Sequence, residues 1–139
     1  MAHRFSWKTK GNKVKKPWGE EECFSAPWGT QGKILHIEKN HRTSLKAYMR
    51  KDEILYLYQG KVEVLHGNDD QDMLCPYEDW KHSELNPGET ILIQAGCPYR
   101  ITALEDSVMI MVTHGSSGTH DISKRFEDDY GRITEDKNN

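Results

Sequence analysis

The chemistry open to this chain is bounded first by what its reactive residues fail to form. Seven histidines, His3, His36, His41, His66, His82, His114 and His120, are scattered, and none pair at a metal-like spacing on one predicted strand. Three cysteines, Cys23, Cys75 and Cys97, are odd in number and show no Cys-x-x-Cys spacing. That pattern argues against a disulfide framework and a thiolate zinc site, and for a reducing, cytoplasmic setting. No Ser-His-Asp set, phosphate-binding loop or dinucleotide fingerprint is present. Lysines, tyrosines and carboxylates on short apolar segments remain. Side chains alternate along a strand, so Lys46 and Tyr48 share one face, and Glu53, Leu55 and Leu57 share another. His36 lies on a predicted strand and becomes a candidate base if it faces a pocket. Trp18, Trp28 and Trp80 are either sugar-stacking surfaces or core anchors.

These residues need a scaffold, and composition restricts it. The chain has 139 residues, with 19 lysines and arginines against 22 acidic residues and a net charge of −3. That length suits one domain with a real core. A mildly acidic chain is a poor generic partner for nucleic acid. The longest apolar runs, Ile54 to Tyr58 and Val108 to Val112, are far short of the ~20 residues a membrane span needs. The first six residues contain no apolar leader segment. Five lysines between Lys8 and Lys16 read as a solvated arm or, alternatively, a phosphate-binding tail.

Short apolar stretches cut by turn residues predict an all-β domain. Strands are expected at Lys33 to Glu38, Glu53 to Gln59, Lys61 to His66, Thr90 to Gln94, Tyr99 to Thr102 and Ser107 to Thr113. The second and third read as a hairpin around Gln59-Gly60-Lys61. Asn86-Pro87-Gly88-Glu89 and Ala95-Gly96-Cys97-Pro98 read as turns. Ser107 to Thr113, apolar on both faces, is expected to be central and covered. Met73 to Ser83 gives no clear signal, and a short helix is expected near Asp121 to Asp129. Turns at this frequency imply a sandwich or small barrel with one open mouth for a ligand.

Several of these segments carry a resemblance. Glu53, six residues, then Gly60 is similar to the end of the first cupin motif, G-x5-H-x-H-x(3,4)-E-x6-G. Gly88, five residues, then Gln94-Ala95-Gly96-Cys97-Pro98-Tyr99 resembles the second, G-x5-P-x-G-x2-H. The flanks are narrower. Lys16-Pro17-Trp18-Gly19, Arg42-Thr43-Ser44-Leu45, and Asp121-Ile122 followed by Arg125 to Arg132 resemble segments of the cupin domain of type II mannose-6-phosphate isomerases. Those domains close bifunctional mannose-1-phosphate guanylyltransferases, whose nucleotidyltransferase half this chain is too short to hold. The resemblance spans roughly Lys16 to Arg132. It implies a single double-stranded β-helix, or jelly roll, at 16–132, behind a flexible arm at 1–15 and ahead of a disordered tail at 133–139.

The departures from the motif bear on chemistry. The family's metal-ligand positions fall here on Lys46, Tyr48, Glu53 and Tyr99, and the second-motif proline is Gln94. Only Glu53 keeps a ligand's chemistry. An ammonium repels a cation. The expectation is therefore a degraded metal site and no cofactor, with Lys46 and Glu53 paired in the metal's place and Tyr48 and Tyr99 supplying hydroxyls. The alternatives are Lys46 turned to solvent with the tyrosines filling a core, or a metal held by other residues. By resemblance Arg42 is a candidate for a phosphate-binding or turn-stabilising role, with a surface ion pair as its other reading; His36, from its place on a predicted strand, is a second candidate substrate contact. Arg125 and Arg132 match the tail motif and equally read as docking the tail by pairing with Asp128 or Asp129. The implied function is isomerisation or binding of a sugar, sugar phosphate or similar small polar molecule. The alternative is a non-catalytic binding or dimerising cupin. A homodimer is expected, and no nucleic-acid or membrane partner.

Overall fold

In the computed structural model, described here for residues 4–68, 80–115, the backbone of 123–127, and 129, eleven strands form two facing antiparallel sheets. They are β1 Asn12–Lys16, β2 Gly19–Ser25, β3 Gln31–Ile37, β4 Leu45–Tyr48, β5 Lys51–Gln59, β6 Val62–His66, β7 Lys81–Leu85, β8 Thr90–Ile93, β9 Tyr99–Ala103, β10 Ser107–Gly115 and β11 Ser123–Glu127. One sheet runs β1-β2-β3-β10-β5-β8 and the other β11-β4-β9-β6-β7. This is the expected all-β jelly roll. No helix of the described residues is long and apolar enough to cross a membrane.

Alternation builds the core. Leu35 and Ile37 of β3, Leu55 and Leu57 of β5, and Met109 and Met111 of β10 point inward from the larger sheet. Val62 and Val64 of β6 meet them with Tyr99 and Ile101 of β9 from the smaller one. Trp18 joins this core and Trp80 is buried over Gly67, whereas Trp28 is exposed, edge-on to Trp7 at 6.3 Å. The two expected turns form. The Glu89 amide donates to the Asn86 carbonyl at 3.0 Å, and the Cys97 amide to the Gln94 carbonyl at 3.1 Å.

Four expectations are corrected. β5 and β6 are not a hairpin: they pair with different strands in different sheets, so Gly60 turns a corner between layers. β10 is central but covered on one face only, with Val112 exposed on the other. The segment read as a C-terminal helix contains β11, because β4 would otherwise present an unpaired sheet edge. The basic arm does not stay free to residue 15: β1 pairs with β2, setting Lys13 against Glu22 and Lys15 against Glu20. The expected tail 133–139 and Arg132 lie outside the described residues.

Candidate functional site at the barrel mouth

At one end of the barrel the inward side chains change from apolar to polar. On the larger sheet, Lys51 and Glu53 continue the inward face of Leu55 and Leu57. Glu53 sits directly opposite Thr113 of β10 and Ile93 of β8. On the smaller sheet, Lys46 is the cross-strand partner of Tyr99, and Tyr99 of His66. Two amides of the β8–β9 turn fasten it to both sides, one on a backbone carbonyl and one on a side-chain carboxylate. The Gly96 amide donates to the Tyr48 carbonyl at 2.8 Å, and the Ala95 amide to Oδ1 of Asp52 at 2.8 Å.

Glu53 is 3% exposed and Tyr99 1% exposed. Neither Oε2 of Glu53 nor the Tyr99 hydroxyl has a hydrogen-bond partner of good geometry. The hydroxyl faces the carboxylate closely enough to favour the ionised acid, without completing a well-formed bond. Burial nonetheless dominates and raises the Glu53 pKa above its ordinary 4.5, against the pull of Lys46, Tyr99, Lys51 and Lys33. Burial, with Glu53 and Tyr48 nearby, pushes Tyr99 well above the usual phenol range.

Lys46 forms no direct ion pair with Glu53, contrary to expectation. It acts through its field, and its Nζ lies 5.2 Å from the centroid of the Tyr48 ring. Lys51 approaches the same ring at 4.3 Å. Lys46 is the main cause of a lowered Tyr48 pKa, opposed by burial and aided by Lys33 and Lys51. Across the mouth, Lys33 pairs with Glu21 at 2.9 Å, and Lys16 reaches the same carboxylate at 3.4 Å. Burial alone would raise Glu21, but these lysines and Lys46 hold its pKa below 4.5. Burial also opposes the Lys33 ammonium, yet Tyr48 and Glu21 raise its pKa and keep it charged.

The structure therefore gathers Lys46, Tyr48, Glu53 and Tyr99. It places the two remaining sequence candidates elsewhere. His36 points outward from β3, into a separate surface cleft of about 390 Å³ with Glu20, Gln59 and Ser107. Neighbours of even parity on β3 cannot reach the barrel interior. Arg42 is engaged by Asp129, with Nε 2.5 Å from Oδ2 and Nη2 2.8 Å from Oδ1. Buried Arg100 donates from Nε to the Thr43 carbonyl at 2.8 Å and lies 3.6 Å from the same aspartate. The side chain of Arg125 and all of Arg132 lie outside the described residues; Asp129 pairs with Arg42 and Arg100. Sequence reasoning missed Glu21, Lys33 and His66. For His66 a signal existed, because it shares the inward parity of Val62 and Val64.

Comparison with known proteins was made by sequence and by shape. No family profile matches the sequence, and no curated protein does. Solved structures match over most of the chain. KdgF from Halomonas sp. superposes with a TM-score of 0.61 at 17% identity, covering 78% of this chain and 87% of that one. Oxalate decarboxylase from Bacillus subtilis gives 0.67 at 11% identity, covering 84% of this chain and 30% of its own. The chain has the cupin fold. A third match, the Fe(II) form of HppE, gives 0.61 at 11% identity and covers 81% of this chain and 60% of that one. At such identities the likeness is one of fold, and function rests on the residues in the mouth.

A divalent metal does not fit this cupin's donors. Glu53 is the lone carboxylate among the four motif positions, and the ammonium of Lys46 adds positive charge where a cation would sit. Among the described residues no group of three or more His, Cys, Asp or Glu side chains converges. Such an ion takes several neutral or anionic donors, and these positions offer one carboxylate beside an ammonium.

The shift at Glu53 sets a sign for stability. A carboxyl whose pKa is raised on folding binds its proton more tightly when folded. Its favourable contribution is complete below the unfolded value of 4.5 and is lost as pH rises through the folded value. Glu21, shifted the other way, contributes above 4.5 and loses that as pH falls. Chemical denaturation of Glu53→Gln across this range should therefore show higher stability than wild type at neutral pH, with the difference shrinking toward pH 4. An unchanged difference across the range would mean Glu53 carries no folding-linked shift.

Proposed function

We propose that this cupin binds a small carbonyl-bearing carbohydrate in the barrel mouth and moves a proton between adjacent carbons, without a metal. The observation that carries this reading is the buried pair of Glu53 and Tyr99, whose polar atoms face one another without a completed hydrogen bond. Buried polar atoms are normally satisfied, and a hydroxylated ligand entering the mouth would satisfy these.

Aldose–ketose isomerisation needs a base at C2, an acid at C1 and positive charge at the oxygen where negative charge develops. Glu53 takes the C2 proton and returns it to C1. Its raised pKa brings it nearer the working pH, where a group both accepts and releases a proton. Tyr99 shuttles the hydroxyl proton from O2 to O1. The ammonium groups of Lys46 and Lys33 stabilise the enediolate, supplying the positive field a metal would otherwise give. Proton count and charge return to their starting values in each turnover. The motif resemblance to mannose-6-phosphate isomerase domains supports this class of reaction.

The test incubates purified protein with mannose 6-phosphate, with and without a chelator, and follows fructose 6-phosphate. Turnover that survives chelation is the expected result. Turnover that requires added metal would overturn the mechanism. Calorimetric binding without turnover would leave the second reading, a sugar-binding cupin without chemistry, in its place.

A further inference from the structure

β4, the strand that carries Lys46 and Tyr48, is short and lightly held by its inner neighbour. It meets β9 at one residue pair, Lys46 with Tyr99. Its longer ladder is with β11, where Ser123 lies opposite Tyr48, Lys124 opposite Ala47, Arg125 opposite Lys46 and Glu127 opposite Leu45. β11 is itself the outermost strand of the smaller sheet, and among the described residues β4 is its one strand neighbour. The placement of two site residues thus hangs on a late strand that the sheet supports from one side. An edge strand of that kind opens readily unless something fixes its end.

Asp129 lies just beyond β11 and is tied on two sides. Its carboxylate takes a forked pair from Arg42, with Nε 2.5 Å from Oδ2 and Nη2 2.8 Å from Oδ1, and lies 3.6 Å from Nη2 of Arg100. Both arginines adjoin the site strands. Arg42 stands just ahead of β4 and bridges to Thr102 of β9. Arg100 follows Tyr99, so it faces the opposite side of β9, yet it is only 4% exposed. Its Nε donates to the Thr43 carbonyl at 2.8 Å. A buried guanidinium requires a counter-ion, and an arginine–carboxylate fork fixes geometry as well as charge. We infer that Asp129 is a positioning residue: its carboxylate, shared by Arg42 and Arg100, locks β11 onto the edge of β4 and so holds Lys46 and Tyr48 in place beside Tyr99. This deepens the proposed function and rests on the mouth being the reacting site. Asp129 acts through the strand it anchors and not through the ligand.

The test is residue-resolved hydrogen exchange on the full chain, joined to turnover of mannose 6-phosphate. Asp129→Asn keeps the shape and removes the charge. Protection of the β4 amides should fall at least about tenfold, while that of β5 and β10 in the other sheet stays within about twofold. Asp129→Glu, which restores the charge, should recover most of the loss. Arg42→Gln leaves the Arg100 pair in place. It should give the same local pattern at smaller size, and it carries the test if Asp129→Asn does not fold. In turnover, Asp129→Asn should lower kcat about tenfold. Combined with Lys46→Met it should be nearly as fast as Lys46→Met alone, because both act on the same placed ammonium. Effects that multiply, or an even loss of protection over both sheets, would make Asp129 a general stabiliser and overturn the inference. Unchanged β4 protection would also overturn it, and turnover by the wild type would then leave the proton-transfer reading intact. Local release of β4 in a protein that shows no turnover would support the lock and remove the proposed reaction.

Discussion

Glu53→Gln is expected to cut turnover by about 10²- to 10⁴-fold while the protein remains folded and gains stability at neutral pH. The two effects have one cause. Glu53 sits almost fully enclosed, and Oε2 has no completed hydrogen bond. A carboxylate in that position is held by the fields of Lys46, Lys51 and Lys33 rather than by direct contacts. Replacing it with a neutral amide of equal shape removes a desolvated charge, and that relaxes the folded state. In the proposed reaction the same replacement removes the group that would accept and return the carbon-bound proton. Substrate affinity should change little, because the amide keeps the shape of the carboxylate and the neighbouring lysines and tyrosines are left in place. Steady-state kinetics should thus show kcat falling with KM nearly constant. A loss of stability at neutral pH would mean that Glu53 is an ordinary structural ion-pair member. A kcat within a few-fold of wild type would remove it from the chemistry.

How much of this site could be read from the chain alone depends on what each strand displays locally. Alternation in β5 is unambiguous, with Glu53, Leu55 and Leu57 buried while Ile54 and Tyr58 are exposed. Lys46 and Tyr48 could be set on one face by the same rule, but which face was supplied by motif resemblance, not by parity. β2 defeats the rule. Glu20, Glu21 and Glu22 follow one another, and only pairing with β3 shows that Glu21 is the one turned inward beside Lys33. β3 misleads in another way. Lys33 is inward and His36 outward, because the interior at this end is polar and the exterior is open to water. A polar-in arrangement is what a binding site requires, and it inverts the signal that hydrophobic patterning depends on.

The fold shows the same division between local and distant information. The Asn86–Glu89 turn is set by Pro and Gly within four residues, and it forms as expected. Strand partnership is decided elsewhere in the chain. β5 takes β10 and β8 as neighbours, while β6 takes β9 and β7, so a glycine turn between them looks locally like a hairpin and is not one. β11 is likewise defined by the β4 edge that it covers, and its own sequence carries no strong strand pattern.

The glycine at that corner gives the second large effect: Gly60→Ala is expected to destabilise the fold by about 3 kcal/mol, a fall of roughly 10 °C in Tm for a domain of this size. Its φ is 96°, which an L side chain resists, and that accounts for about 1 to 2 kcal/mol. The rest is steric. An added methyl would lie 2.5 Å from the Asp106 carbonyl oxygen and 2.7 Å from Ser107 Cα, and would overlap the Ser107 hydroxyl. That hydroxyl fastens the corner, accepting from the Lys61 amide at 3.1 Å and donating to the Glu105 carbonyl at 2.7 Å. Backbone crowds the site on two sides, so no side-chain rotation relieves the clash. Gly88→Ala separates the two contributions. Its φ of 93° is nearly the same, but nothing lies within 4 Å of the added methyl. It should cost only the conformational part, about 1 to 2 kcal/mol. Equal losses for the two variants in parallel denaturation would show that the close approach of Gly60 to Ser107 does not hold the two sheets at this corner.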